Sequence, residues 1–198
     1  MKILVACEFS GVVRDAFARM GHDAWSCDLL PSETPGNHIQ GDVLGVLGWG
    51  WCMMIAHPPC TYLCSSGMHW TKRCLRDPKL TEDALAFVRA LLDAPIERIA
   101  LENPAGVIGT RIRPASQFIQ PYQFGDDASK RTGLWLKGLP LLVPTEYVSP
   151  RLVGGKLRWA NQTDSGQNRL GPSATRWAER SKTYPGIAAA MAAQWGTI

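Results

Sequence analysis

The most constraining feature of this sequence is an alternation between short apolar runs and segments with helical periodicity. Apolar runs occupy residues 2–7, 23–28, 51–56 and 98–103. Apolar side chains with helical spacing occur in three further segments, which cover 10–21, 81–94 and 185–195. Strands that alternate with helices predict an α/β fold, with a mostly parallel sheet and helices on both of its faces.

Length and composition fit a single domain. The chain has 198 residues, of which 45% are hydrophobic and 19% are charged. No apolar run approaches the roughly 20 residues that span a bilayer, and the first apolar run is too short for a signal peptide. Without a secretion signal, the six cysteines are expected to be free thiols. These features predict a cytoplasmic protein that does not enter a membrane.

Polar residues follow each of four predicted strands. They are the loop 7–11 (Cys-Glu-Phe-Ser-Gly), Asp28, the segment 58–60 (Pro-Pro-Cys) and the pair Glu102 and Asn103. Ligands of open parallel sheets bind outside the carboxyl ends of the strands. We therefore expect these residues to share one crevice.

The first loop and two aspartates are candidates for binding a small ligand. Phe9, Ser10 and Gly11 precede a helix whose free N–H groups can face a ligand, although a plain tight turn is an alternative. The chain lacks the Gly-x-Gly-x-x-Gly and Walker lysine signatures, which disfavours a dinucleotide or a nucleoside triphosphate. Asp28 could accept hydrogen bonds from ribose hydroxyls and Asp42 from an adenine amino group, but each could instead be a helix cap or a turn residue.

Cys60 is the candidate nucleophile. Pro58 and Pro59 stiffen the backbone just before this thiol, and a thiolate is the reactive form of cysteine. Glu102 would bring a carboxylic acid into the same crevice, so the two side chains form a nucleophile and general-acid pair. We expect Cys60 to be the most reactive of the six cysteines.

A metal site is the alternative interpretation of this region. Six potential ligands fall within 23 residues, namely Cys52, His57, Cys60, Cys64, His69 and Cys74. Their spacing lacks the paired Cys-x-x-Cys of common zinc sites, and we therefore predict no metal.

The positive charge of the chain is concentrated in residues 150–182. This segment holds seven basic and two acidic residues, whereas the net charge of the whole chain is only +4. It also carries Trp159 and Trp177, and basic and aromatic side chains together suit nucleic acid. We take Arg158 and Arg169 as candidate contacts; a solvated loop held in place by its tryptophans is the alternative.

Together these motifs resemble the DNA cytosine-5 methyltransferases, and most closely their small bacteriophage and prophage members. The matching segments, in chain order, are EFSG (8–11), Asp28, Asp42, HPPC (57–60), LENP (101–104), SKRTGLWLKGLP (129–140) and TYPGIAAAMAAQW (183–195).

The resemblance implies a Rossmann-like fold that uses S-adenosylmethionine and transfers a methyl group to carbon 5 of cytosine in double- or single-stranded DNA. It implies one methyltransferase-like domain over 1–198, with 140–183 as a small basic insert in place of a target-recognition domain. Such a protein would act in the cytoplasm of a bacterial or phage-infected cell. The implied cofactor contacts are Phe9, Ser10, Gly11, Asp28, Asp42 and Pro58.

In the same resemblance Cys60 forms a covalent adduct with the base, while Glu102 and Asn103 complete the catalytic set. Lys130 and Arg131 join the candidate nucleic-acid contacts. Two alternatives remain: a catalytically inactive protein of this fold that binds nucleic acid or a partner, and an enzyme of this fold that acts on a free pyrimidine nucleotide. The Cys60 and Glu102 pair favours an enzyme, and the basic segment favours nucleic acid.

Overall fold

The main sheet has seven strands. A computed structural model describes residues 1–198, apart from the side chains of residues 67, 69, 70 and 72. In chain order the strands are β1 (Lys2–Ala6), β2 (Asp23–Asp28), β3 (His38–Gln40), β4 (Met53–Ala56), β5 (Arg98–Pro104), β6 (Gln117–Ile119) and β7 (Thr132–Lys137). Their order in space is β3-β2-β1-β4-β5-β7-β6. The first five strands in this order are parallel to one another, and β7 runs antiparallel to both β5 and β6.

The helices cover both faces of this sheet. They are α1 (Val12–Arg19), α2 (Ser65–Lys72), α3 (Lys79–Leu92), α4 (Ile108–Arg111), α5 (Arg176–Ser181) and α6 (Pro185–Trp195). Side chains of β1 alternate between two cores: Leu4 packs with α3 on one face, and Val5 packs with α1 and α6 on the other. The predicted Rossmann-like α/β class, with a mostly parallel sheet covered on both faces, is confirmed.

A separate hairpin lies in the basic segment. Its strands are β8 (Arg151–Val153) and β9 (Lys156–Arg158), which pair with each other and not with the main sheet. Two glycines with positive φ form its turn, Gly154 at 54° and Gly155 at 75°. Both angles lie in the left-handed region that glycine enters without a steric penalty.

Three stretches differ from what the sequence pattern alone predicts. The pattern predicts a short element at 41–43, whereas the structure has β3 just before these residues and a 3₁₀ turn, Val43–Val46, that starts at their end. The pattern predicts one long loop at 57–80, whereas this stretch contains α2. It predicts a strand pair or a strand and turn at 132–139, whereas the structure has the single strand β7, whose first four residues are buried and which lies between β5 and β6.

The strand order of the sheet reverses at β1, between β2 and β4. The chain continues from β1 to β2 on one side, whereas β4 lies on the other side of β1. Open α/β sheets bind ligands at such a reversal of strand order, outside the carboxyl ends of the strands. Here those ends are Ala6 and Ala56, followed directly by Cys7 and His57.

Within the described part of the chain, no helix has both the length and the apolar character required to cross a membrane.

Candidate active site

The loop after β1 is organised by the buried carboxylate of Glu8. Its oxygens accept hydrogen bonds from the backbone N–H of Val13 at 2.7 Å and of Arg14 at 3.1 Å, and from the Ser10 hydroxyl at 3.3 Å. A carboxylate at this position satisfies free N–H groups at the start of α1. Cys7 turns the chain with a positive φ of 58°. The motif that resembles a cofactor loop is therefore also the N-terminal cap of α1, a role for Glu8 that the sequence analysis missed.

Gly11 and Arg14 hold the first loop against the loop that follows β2. Gly11 has a φ of 76°, and a β-carbon there would collide with the Thr34 hydroxyl. The guanidinium of Arg14 is fully buried, and it donates hydrogen bonds to Ser26, Ser32, Thr34 and Pro35. An arginine on the buried face of a helix is the sequence signal that could have indicated this network.

Asp28 and Asp42 both shape turns, which is the alternative that the sequence left open. Asp28 accepts a hydrogen bond from the backbone N–H of Leu30, and Asp42 accepts one from that of Leu44, each at 3.0 Å. Both charges act on Cys27, near the end of β2. Burial, and then the charges of Asp28 and Asp42, raise the pKa of Cys27 to about 11. The two acids therefore lie at the same edge of the sheet.

The Pro-Pro-Cys segment is held by the end of β5. The side-chain amide of Asn103 donates a hydrogen bond to the carbonyl of Pro58 at 2.8 Å. Cys60 then opens a tight turn in which the N–H of Cys64 donates to the Cys60 carbonyl at 2.9 Å. Pro58 is buried and Pro59 is exposed. Asn103 thus supports the position of Cys60 and is itself almost fully buried.

The surroundings of Cys60 favour the protonated thiol. A hydrogen bond with Cys64 and then burial raise the pKa of Cys60, while the charge of Lys130 acts in the opposite direction. Two other cysteines, Cys52 and Cys74, are exposed. The structure therefore changes the expected order of reactivity: in the free protein, the exposed thiols should react before Cys60.

Glu102 is buried and ionised. Burial alone would raise its pKa, but the charge of Lys130 and a hydrogen bond from His57 outweigh it and lower the pKa to about 2. The His57 Nδ1 and Glu102 Oε2 atoms lie 2.9 Å apart. In the free protein Glu102 is therefore a hydrogen-bond acceptor rather than the carboxylic acid that the sequence suggested.

His57 is a site residue that sequence reasoning did not select. Its side chain is 8% exposed, and its Nε2 atom has no hydrogen-bond partner among the described residues. It stands immediately before Pro58, at the carboxyl end of β4. Its place in the His-Pro-Pro-Cys motif was the available signal.

A segment around α5 covers the first loop. The rings of Phe9 and Trp177 lie 6.1 Å apart, and the Lys182 ammonium lies 2.9 Å from a carboxylate oxygen of Glu33. Between this segment and the loop remains a cavity of about 10 Å³, roughly the volume that one water molecule occupies. Its lining consists of residues 7–10, His57 and residues 181–183.

A second cavity has a volume of about 580 Å³, within the range of small-molecule sites. Pro104 at the end of β5 lies on one side, and residues of the basic segment lie on the other. Four cationic side chains contribute to the lining: Lys130, Arg131, Arg180 and Lys182. Of the candidate nucleic-acid contacts, Lys130 and Arg131 therefore line this cavity. The charge of Lys130 also lowers the pKa of both Cys60 and Glu102.

Arg158 and Arg169 have other partners. Nε of Arg158 donates to the Asp164 carbonyl at 3.1 Å, and Nε of Arg169 donates to the Gln162 carbonyl at 3.0 Å. Trp159 stacks on Tyr122 with ring centroids 4.4 Å apart. For Trp159, the structure favours the alternative in which the tryptophan packs the basic segment onto the rest of the fold.

Among the side chains that the structure describes, no group of three or more histidine, cysteine, aspartate or glutamate residues could hold a metal ion. His69, one of the potential ligands in the sequence, lies outside these described side chains.

Comparisons with known proteins complete this description. No family model matches the sequence, and no curated protein does. Among solved structures, a candidate DNA modification methyltransferase encoded within a prophage (E. coli) is similar, with a TM-score of 0.47 and 13% sequence identity. The match covers 74% of this chain and 51% of that protein, so this chain spans about half of its length.

Proposed function

We propose that this protein is an S-adenosylmethionine-dependent methyltransferase that modifies carbon 5 of cytosine in DNA through a covalent adduct with Cys60. The supporting observation is that the charge of Lys130 acts on both the Cys60 thiol and the Glu102 carboxylate. Lys130 itself lines the large cavity, together with Pro104 at the end of β5, two positions after Glu102.

The chain's own residues can prepare each part of the addition. The hydrogen bond with Cys64 and burial raise the pKa of Cys60, and the charge of Lys130 partly offsets them toward the thiolate, which is the form that can add to carbon 6 of the ring. The Glu102 carboxylate can accept a hydrogen bond from the exocyclic amine of cytosine and so orient the ring. Asn103 fixes the loop that carries the thiol. A target base would have to leave the DNA stack to reach this point.

The residues at the ends of β2 and β3 fit the nucleoside part of the cofactor. The Asp28 and Asp42 carboxylates provide acceptors, and neighbouring Leu29 and Leu44 are 72% and 43% exposed. Acceptors beside exposed apolar side chains suit ribose hydroxyls and a purine. When bound, the cofactor supplies an electrophilic methyl group. Phe9, Ser10 and Gly11 would line its other end, where α5 leaves only the small cavity and would have to move away.

We further propose that residues 140–183 take the place of a target-recognition domain within one methyltransferase domain. The β8–β9 hairpin and α5 both fall in this range, and the hairpin is separate from the main sheet. DNA would contact Lys130, Arg131 and Arg180 at the large cavity first. Arg158 and Arg169 would contribute mainly by shaping the loop 162–168 that they bind.

One observation favours the free pyrimidine nucleotide as a second candidate acceptor. The large cavity has the volume of a small-molecule site and carries cations that could bind a phosphate. An inactive binding protein would keep the same cavity without turnover.

The experiment that tests these candidates measures methyl transfer from labelled S-adenosylmethionine by the purified protein. Duplex DNA, single-stranded DNA and free cytidine monophosphates are offered as separate acceptors, and the product base is identified by mass spectrometry. The Cys60→Ala variant should lose all transfer, whereas Cys52→Ala, which removes an exposed thiol, should keep it.

The outcomes separate the candidates. Labelled 5-methylcytosine in either DNA supports the proposal, and label in the free nucleotide alone supports the second candidate. If no acceptor is labelled although the protein binds DNA, the chain is a binding protein.

Arg131→Ala should weaken DNA binding and flatten its dependence on salt, because each phosphate contact releases counterions. Arg19→Ala, on an exposed end of α1, is the matched control.

A further inference from the structure

His57 lies between two buried carboxylates. Its Nδ1 atom is 2.9 Å from Glu102 on one side. On the other side the ring lines the water-sized cavity, together with Glu8 and Ser10. The Nε2 atom is buried without a hydrogen-bond partner among the described residues. A polar atom in this position requires a partner, and one water molecule in the cavity can provide it.

The chemistry of the proposed reaction requires a proton at this place. When a thiolate adds to carbon 6 of cytosine, the electron pair of the ring moves toward nitrogen 3, which then takes a proton. Glu102 is the side chain placed to reach that edge of the ring, but its low pKa leaves it without a proton of its own. The proton must therefore come from a group behind Glu102.

We propose that His57 is the proton reservoir for Glu102 and supplies, through this carboxylate, the proton that nitrogen 3 receives during thiolate addition. This inference rests on the proposed function. His57 acts through Glu102 and is therefore a positioning and proton-supplying residue rather than one that touches the base.

The proton balance of this step closes. The Cys60 thiol first gives its proton to solvent. The His57 imidazolium passes its Nδ1 proton to Glu102 Oε2, and Glu102 gives this same proton to nitrogen 3 as the sulfur–carbon bond forms. Imidazolium, thiolate and cytosine thus become imidazole and a neutral adduct. After methyl transfer, carbon 5 loses its proton to solvent and the sulfur–carbon bond breaks. The nitrogen 3 proton then returns through Glu102 to His57, which is restored.

The charged groups around the ring are arranged for this task. Glu102 faces His57 from β5, and Glu8 faces it from the first loop. Burial raises the pKa of Glu8, while His57 and the N–H groups at the start of α1 act in the opposite direction. Lys182, which follows α5, lines the same cavity, and the charge of Lys130 also acts on Glu102.

Two variants separate proton supply from mere support of Glu102. In His57→Asn, the amide nitrogen takes approximately the place of Nδ1 and can still donate a hydrogen bond to Glu102, but it cannot pass on a proton. In His57→Gln, the longer side chain carries its amide toward the cavity, and it likewise cannot pass on a proton. His22→Asn removes a histidine near the opposite ends of the strands, where it contacts the N-terminus at 3.2 Å, and is the control.

The measurements are kcat, KM for the acceptor DNA and their pH dependence, with thermal unfolding to confirm that each variant is folded. Exchange of the carbon 5 hydrogen of cytosine with heavy water, in the absence of methyl donor, reports thiolate addition alone. Both His57 variants should lose about 100-fold or more in kcat and in exchange, with little change in KM, and their pH profiles should differ from that of wild-type protein.

Each outcome counts for or against the inference. If wild-type protein is active and His57→Asn keeps its kcat and pH profile, His57 only supports Glu102 and the inference is wrong, while the proposed function stands. If neither variant folds, a solvent deuterium isotope effect on kcat that is equal in wild-type protein and in His22→Asn supports proton transfer during the addition, and its absence overturns the inference. If wild-type protein shows neither methylation nor exchange, the proposed function fails first and this inference fails with it.

Discussion

The side-chain amide of Asn103 and the carbonyl oxygen of Pro58 form a hydrogen bond of 2.8 Å across the ends of β5 and β4. The two residues are 45 positions apart in the chain. Asn103 is almost fully buried, and its Oδ1 atom has no hydrogen-bond partner among the described residues. This contact directly connects the strand that carries Glu102 to the loop that carries Cys60.

Replacing Asn103 by alanine should therefore damage both stability and activity. The buried Pro58 carbonyl would lose its donor, which costs about 1–3 kcal/mol of the free energy of unfolding. Urea denaturation measures this loss, and methyl transfer to DNA measures the displacement of Cys60. Asn37→Ala, at an exposed position, is the control. Equal stability and activity of the two variants would contradict the supporting role of Asn103.

Gly106 should be essential for the position of the Cys60 turn. A β-carbon at this position would collide with the Leu63 carbonyl oxygen and would lie 2.7 Å from the Cys64 α-carbon. We expect Gly106→Ala to cost about 1–3 kcal/mol in unfolding free energy and to lower methyl transfer strongly. Gly109→Ala is the matched control, since a β-carbon there meets nothing within 4 Å. Alanine should even stabilise α4 slightly. A Gly106→Ala variant with wild-type stability would show that the turn can shift freely.

Removing the Cys64 thiol should make Cys60 more reactive. The hydrogen bond with Cys64 is the largest cause of the raised pKa of Cys60, so Cys64→Ala should lower that pKa and increase the thiolate fraction. Brief alkylation with iodoacetamide at neutral pH, followed by mass spectrometry of the Cys60 peptide, should show faster labelling than in wild-type protein. Cys52→Ala should leave the Cys60 rate unchanged. Equal Cys60 labelling in all three proteins would mean that Cys64 does not hold the proton in place.

The ionised Glu102 should stabilise the folded protein, and this stabilisation should be lost at low pH. Its pKa in the folded protein is lowered to about 2 from an ordinary value of 4.5. The contribution is therefore fully present above about pH 4.5 and is lost as the pH falls through about 2, on the order of 3 kcal/mol in total. Wild-type protein should exceed Glu102→Gln in unfolding free energy at pH 7, and the difference should shrink toward pH 2.

The control for this pH dependence is Glu97→Gln, which removes an exposed carboxylate just before the same strand. Its difference from wild-type protein should be small at every pH. A constant gap between wild-type protein and Glu102→Gln from pH 7 to pH 2 would indicate that the carboxylate is not held ionised by His57 and Lys130.

The sequence by itself determined the class of fold and the edge of the sheet where the candidate site lies. The apolar runs that form β1, β2, β4 and β5 are short and bounded by polar residues. This pattern is the same for any tertiary arrangement of a parallel sheet. Since parallel strands end at a common edge, placing Cys60 and Glu102 near each other required only the assignment of the strands before them.

The tertiary structure alone decided how these side chains are paired and charged. The contact between His57 and Glu102 joins residues 45 positions apart. Lys130, whose charge acts on Glu102 and Cys60, lies in the loop before β7. The secondary-structure propensity of a local segment carries no information about contacts between residues so far apart in the chain. A pKa depends on burial and on neighbouring charges, so the ionised Glu102 and the protonated Cys60 follow only from the folded arrangement. The same reason explains why Arg158 and Arg169, basic by sequence, turn out to bind backbone carbonyls of their own segment.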